Sequence, residues 1–172
     1  MNSLQGRILV ASPHLHDPNF FQTAVLMVHH GGDGALGIVL NRPTEIDLAE
    51  ACKKITDKPC RRQGTIFLGG PCEGPLVAIH RHESAGGIEV IAGIYFSAEQ
   101  SDVEWLVGQD GDDLRFFLGS SGWAPGQLEQ ELESDAWIVI DATADHIFCE
   151  VHRWNEVLEK VARMVTHYPS AN

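Results

Sequence analysis

Short apolar runs punctuated by glycine and proline make up most of the chain, and an amphipathic period closes it. Residues 7–12 (RILVAS), 23–29 (TAVLMVH) and 36–41 (LGIVLN) read as strands. The Gly31-Gly32-Asp33-Gly34 block supplies turn chemistry, because glycine takes a positive φ without a Cβ clash, so 23–41 is expected to be a hairpin. Residues 47–54 (DLAEACKK) place acids first and lysines last, the order a helix dipole favours. Strands are expected at 65–68, 76–81 and 88–96. Ser97 to Gln100 has capping-box spacing ahead of Val103, Trp105, Leu106 and Val107, which predicts a helix over 98–108. A strand at 114–118, a helix at 125–133 opened by Pro125, and a buried strand at 136–140 follow. From Val151, apolar residues recur at Trp154, Leu158, Val161 and Val165, with Val157 and Met164 widening the stripe. That is one face of a C-terminal amphipathic helix. Hairpin-like pairs with scattered helices predict an α+β architecture rather than a doubly wound parallel sheet.

Composition narrows the class. At 172 residues and 44% hydrophobic content the chain is expected to fold as a single domain spanning 1–172. No apolar stretch has the length of a secretory signal or a membrane span, so the cytoplasm is the expected compartment and no membrane partner is expected. The net charge is −12, and protonating all nine histidines still leaves −3. Direct nucleic-acid binding needs clustered cations. Here one basic stretch, Lys53, Lys54, Lys58, Arg61 and Arg62, stands against an acidic whole, and it reads as a solvated loop. The four cysteines, Cys52, Cys60, Cys72 and Cys149, lack C-x-x-C spacing and read as free thiols.

Candidate chemistry is sparse. The pairs His14/His16, His29/His30 and His80/His82 lack a complete ligand set, so no metal and no cofactor are expected, and the histidines read as surface residues near turns. Gly119-Ser120-Ser121-Gly122 does not match a nucleophile elbow, and no phosphate-binding glycine motif is present. Asn41-Arg42-Pro43 and Gly69-Gly70-Pro71 each end a strand. Glycines at a strand exit can turn N–H groups inward as an anion nest, and Arg42 can clamp a carboxylate or phosphate. The other reading is two tight turns, with Arg42 satisfying carbonyls or an internal acid. Asn41, Arg42, Gly69, Gly70 and Pro71 are therefore the candidate ligand-binding residues, expected to lie near one another. Gly122, Trp123, Pro125, Gly126 and Gln127 form a structural motif, a strand-to-helix turn anchored by a buried Trp, with Glu131 on the same helix face as Gln127.

Together these strings resemble the AlgH/YqgE family of bacterial proteins. The resemblance runs from Gly6, Leu9, Val10, Ala11 and Pro13 through Asp17, Phe20 and Thr23. It continues through Gly34-Ala35-Leu36-Gly37, Leu40-Asn41-Arg42-Pro43 and Gly69-Gly70-Pro71 to the Gly122–Glu129 string, Glu131, Leu132 and Trp137. Cys72 and Ser120 depart from it, and the tail after Trp154 follows it less closely. The resemblance implies a bent or forked, mostly antiparallel β-sheet with barrel-like character, surrounded by helices. It implies no established activity. Some members carry a transcriptional-regulator label, and no helix-turn-helix is readable here. The expectation is a non-enzymatic binding or regulatory protein acting through a small anion or a protein partner. The alternative is an enzyme acting on a small anionic substrate near Arg42 and the Gly69–Pro71 turn.

Overall fold

The computed structural model describes residues 2–56, 60 and 62–166. In order come β1 (Arg7–Ala11), β2 (Ala24–Gly31), β3 (Gly34–Val39), β4 (Pro43–Asp47), α1 (Leu48–Ile55), β5 (Thr65–Leu68) and β6 (Cys72–His80). A short 3-10 turn (Glu83–Ala85) leads into β7 (Ile88–Ile91) and β8 (Ile94–Ser97). Then follow α2 (Gln100–Val107), β9 (Leu114–Trp123), α3 (Gln127–Glu133), β10 (Trp137–Asp141), α4 (Ala144–Phe148) and α5 (Val151–Thr166).

All ten strands belong to one open sheet with the order β10-β1-β2-β3-β9-β6-β8-β7. The expected β2–β3 hairpin is present, with Gly31 opposite Gly34 and a bulge between Met27 and His29. The sheet forks along β9. One edge of β9 pairs with β6, from Cys72 opposite Ser120 to His80 opposite Leu114. On its other edge, β5 pairs in parallel through Phe67 and Phe117, while β3 pairs antiparallel through Ala35 and Trp123. Among the described residues β4 pairs with β5 alone. The sheet bends enough for Gln5 Nε2 to donate to the Glu89 carbonyl of β7 at 3.2 Å, but it does not close.

Residue alternation explains why the first strands read as unbroken apolar runs. Ile8, Val10, Ala24, Leu26 and Val28 face one core, with Trp154 and Val161 of α5 packed into it. Leu9, Ala11, Val25 and Met27 face another, with Phe20, Trp123, Leu128 and Trp137. Both faces are covered, so polar residues are excluded from both. A third core lies between α1, α2 and strands β5, β6 and β9.

Several elements differ from the pattern-based reading. The run 88–96 is two strands, because Gly93 turns at φ +73° between them. Ser97 does not cap α2, since its hydroxyl donates to the Gly86 carbonyl at 3.1 Å inside the sheet, and Glu99 holds the N-cap position without a side-chain bond. β9 runs on to Trp123, so Gly119–Gly122 is strand and the turn is confined to 124–126. Pro125 precedes the helix, whose N-cap is Gly126 at φ +78°. β4 and α4 carried no readable signal. β4 is mostly exposed with a proline at its start, as an edge strand tolerates, and α4 is one turn capped by Thr143. His80 is fully buried, and His30 nearly so, rather than at the surface.

Candidate functional site

The Gly122–Gln127 motif is a structural clasp. Glu131 Oε2 accepts from Trp123 Nε1 at 2.9 Å and from Trp137 Nε1 at 2.7 Å, and its Oε1 accepts from Gln127 Nε2 at 3.0 Å. Gln127 Oε1 in turn accepts from Ala124 N at 3.0 Å. Phe20 lies over both indoles, stacked on Trp123 at 5.7 Å and edge-on to Trp137 at 5.3 Å.

The Asn41-Arg42 pair holds a loop. Asn41 Oδ1 accepts from Ala24 N at 3.0 Å and its Nδ2 donates to the Gln22 carbonyl at 2.9 Å. The Arg42 guanidinium donates to the Asn19 carbonyl and, at 3.2 Å, to that of Phe21. Partial burial holds Arg42 below the usual arginine range, while Asp17 pulls the other way. The Gly69–Pro71 turn does adjoin this pair. Leu68 N donates to the Arg42 carbonyl at 2.8 Å, and Val39 N donates to Gly69 O at 2.8 Å. Gly69 N is itself engaged by Leu118 O at 2.7 Å, and Pro71 has no N–H, so these two positions offer no anion donor. The guanidinium points to the 19–21 carbonyls. Arg42→Ala is therefore expected to cost about 1–2 kcal/mol, as loss of charged hydrogen bonds at a half-exposed site. Arg42→Lys should not restore it, because an ammonium lacks the planar fork. Urea denaturation of the three proteins checks this.

The loop so braced lines a cleft of about 540 Å³ against α5. Ala11, Ser12, Pro13, Phe21 and Gln22 form one wall, and Asn155, Leu158, Glu159 and Ala162 the other. The volume lies in the range of small-molecule sites. Phe21 is 61% exposed, and Gln22 sits at φ +55°, a conformation that costs a non-glycine residue and is held here by Asn41. A second cleft, of about 360 Å³, flanks the far side of α5 beside His14 and Trp137. It too is lined by a left-handed residue, Asp135 at φ +55°. Neither Phe21 nor Gln22 stood out in the sequence. The available signal was the Phe20-Phe21 doublet, only one of which can reach the core from a loop.

The side chains of His80 and Ser97 are in contact, and the proton between them runs the wrong way for nucleophilic catalysis. His80 Nδ1 accepts from His82 N at 3.1 Å, so the ring proton sits on Nε2, which donates to Ser97 Oγ at 2.8 Å. Ser97 then donates to the Gly86 carbonyl at 3.1 Å. The ring has no lone pair facing the hydroxyl. Burial first, and His82 second, push His80 down to about 4, with Asp102 opposing. The unfolded chain takes up this proton near pH 6.5, before the native state does. Stability should therefore fall as pH drops from about 6.5 to about 4. His80→Gln should flatten that part of the urea-midpoint profile.

His30 is locked similarly, accepting from Leu4 N at Nδ1 (3.0 Å) and bonding Glu129 Oε1 through Nε2 (2.9 Å). No group of three metal-binding side chains occurs among the described residues. Lys53 and Lys54 are exposed on α1, and Arg62 donates to the carbonyls of Gln109, Gly111 and Leu114. Lys58 and Arg61 of that basic stretch lie outside the described residues. Among the described residues no helix is long and apolar enough to cross a membrane.

Known proteins share this architecture. The solution structure of AlgH from Pseudomonas aeruginosa superposes with a TM-score of 0.76 at 26% identity, over 99% of this chain and 97% of that one. The crystal structure of protein DIP2367 from Corynebacterium diphtheriae gives 0.72 at 21% identity, over 93% and 87%, a likeness of fold. A UPF0301 protein of Streptomyces coelicolor is 35% identical over 98% of this chain and 94% of its own length. One from Chlorobium limicola is 35% identical over 86% and 80%. The AlgH-like family profile matches residues 8–165, and the chain belongs to that family.

Proposed function

We propose that the protein is a non-enzymatic binding protein and that the cleft between the 11–22 segment and α5 is its ligand site. The observation that carries this is the pairing of an exposed aromatic rim with a strained residue, Phe21 beside Gln22, in a loop fixed from behind by Asn41 and Arg42. Such strain persists where the surroundings impose it, and it concentrates at ligand sites. The lining chemistry favours a neutral or cationic amphipathic ligand over an anion. Apolar Phe21, Pro13 and Leu158 mix with the amides of Gln22 and Asn155, and the charged group among the described lining residues is the carboxylate of Glu159, whose Oε2 also meets Arg163 Nη2 at 3.5 Å. This moves the ligand site from the Arg42 turn to the cleft that Arg42 braces. An effect on transcription, in this reading, passes through the bound ligand or a protein partner, since the −12 charge opposes contact with DNA.

Three probes of one shape test the reading. Benzamidine, benzamide and benzoate differ mainly in charge. Titrated into isotopically labelled protein, benzamidine should shift the amides of Ser12, Phe21, Gln22 and Asn155 most, benzamide less, and benzoate least. Phe21→Ser should abolish the shifts and leave the melting temperature unchanged. Benzoate binding beside Arg42 and Gly70 would instead support an anionic substrate there.

A further inference from the structure

Four buried side-chain polar atoms have no hydrogen-bond partner among the described residues, and three of them gather at the corner between α4 and α5. They are Arg115 Nη1, His146 Nδ1 and Trp154 Nε1. Trp154 is fully buried on the first turn of α5, and its ring lies 5.7 Å from that of His146 on α4. Arg115 reaches the same corner from β9, where its Nη2 donates to the Phe148 carbonyl at 2.8 Å and to that of Cys149. Buried polar groups are nearly always paired, so three orphans in one place mark a missing acceptor. The Arg115 guanidinium also has no carboxylate within ion-pair distance among the described residues; it lies over the Phe67 ring, 5.1 Å from its centroid.

The outer side of this corner is a cavity of about 340 Å³. Phe148 and Cys149, whose carbonyls Arg115 holds from the core side, form one wall. The charged lining is mixed. Arg81 is committed to Asp113 at 2.9 Å. Asp145, Glu150 and Arg153 line the same cavity and make no ion pair among the described residues. Burial raises the Cys149 thiol, Arg115 and Arg153 pull it down, and Asp145 pushes it up, so opposed fields converge on that wall. Opposite charges that share a cavity without meeting leave room between them for a molecule that carries both.

We propose that this cavity binds a small zwitterion of the α-amino acid class. The carboxylate goes to the cationic side, with the Arg153 fork at the rim and the uncompensated Arg115 charge behind the wall. The ammonium goes to Asp145 and Glu150. Ala144 and Phe148 give the side chain an apolar surface. A simple anion would meet the two carboxylates, and a simple cation would meet the two guanidiniums, so the lining selects against both. The cavity shares no lining residue with the cleft beside Phe21, and the two sites are tested separately.

L-leucine, L-leucinamide and 4-methylpentanoate keep one carbon skeleton. The amide lacks the carboxylate and the acid lacks the ammonium. Each is titrated at neutral pH into isotopically labelled full-length protein. L-leucine should shift the backbone amides of Cys149, Glu150 and Arg153 and the side-chain Nε1–H of Trp154. Each analogue, short of one charged contact, should bind about tenfold more weakly. Arg153→Gln, at an exposed position, should keep the melting temperature and weaken L-leucine by about the same factor. Signals unmoved by millimolar L-leucine would mean that buried water alone meets the three orphans, and would overturn the proposal. So would 4-methylpentanoate binding as tightly as L-leucine, or an unchanged L-leucine affinity in Arg153→Gln.

Discussion

Glu131→Ala should be among the most destabilising single changes in this protein, costing about 2–4 kcal/mol by urea denaturation. The carboxylate ends three side-chain hydrogen bonds, two of them from the indoles of Trp123 and Trp137. Both tryptophans are buried, so removing their common acceptor strands two donors at once. An unsatisfied buried donor costs about 1–3 kcal/mol, and a charged acceptor lies at the stronger end of hydrogen bonding. Out of a typical total of about 5–15 kcal/mol this is a large fraction. Glu131→Gln keeps an acceptor oxygen and loses the charge, so it should recover about half of the loss. Equal stability for all three proteins would mean that the clasp carries no load.

Gly70→Ala should be as severe, for a steric reason. A Cβ at Gly70 would lie 2.3 Å from the carbonyl carbon and oxygen of Ser120 and 2.3 Å from Ser121 Oγ, at a φ of +155°. Two of the three close atoms are backbone of Ser120 on the forked strand β9, so relief requires moving the sheet and not only the Ser121 side chain. A cost of about 3–5 kcal/mol, or failure to fold, follows. Gly32 is the control. Nothing lies within 4 Å of a Cβ there, and Gly32→Ala should change stability by less than about 0.5 kcal/mol. Thermal melts of the two variants side by side give the contrast.

Where local chemistry dictates structure, the sequence was legible. The β2–β3 hairpin followed from its glycine block, α1 from its charge order, and α5 from a 3-4-3-4 apolar step that buries Trp154 and Val161. Elements set by distant partners were not legible. β4 is polar and exposed, and it is a strand because β5 lies beside it. The far half of β9 looked like a turn because its glycines admit close neighbours. Gly119 sits against the Cys72 carbonyl, and Gly69 against Gly119 itself. At the site, the pairing of Asn41-Arg42 with the Gly69 turn was readable as two strand ends. The direction of the guanidinium was not, because its acceptors are backbone carbonyls of Asn19 and Phe21, which carry no side-chain signature. The cleft was hidden for the same kind of reason. It exists because α5 returns across the 11–22 segment, and no short window of sequence contains both walls.

The measurement that reaches the central claim most directly is a crystal structure of the full chain grown or soaked with benzamidine. The account predicts the ring between Phe21 and Leu158, with the amidinium toward Glu159 and the Arg42 fork still on the Asn19 and Phe21 carbonyls. Benzamidine absent from that cleft at saturating concentration, with benzoate captured by Arg42 beside Gly70 in a parallel crystal, would contradict it.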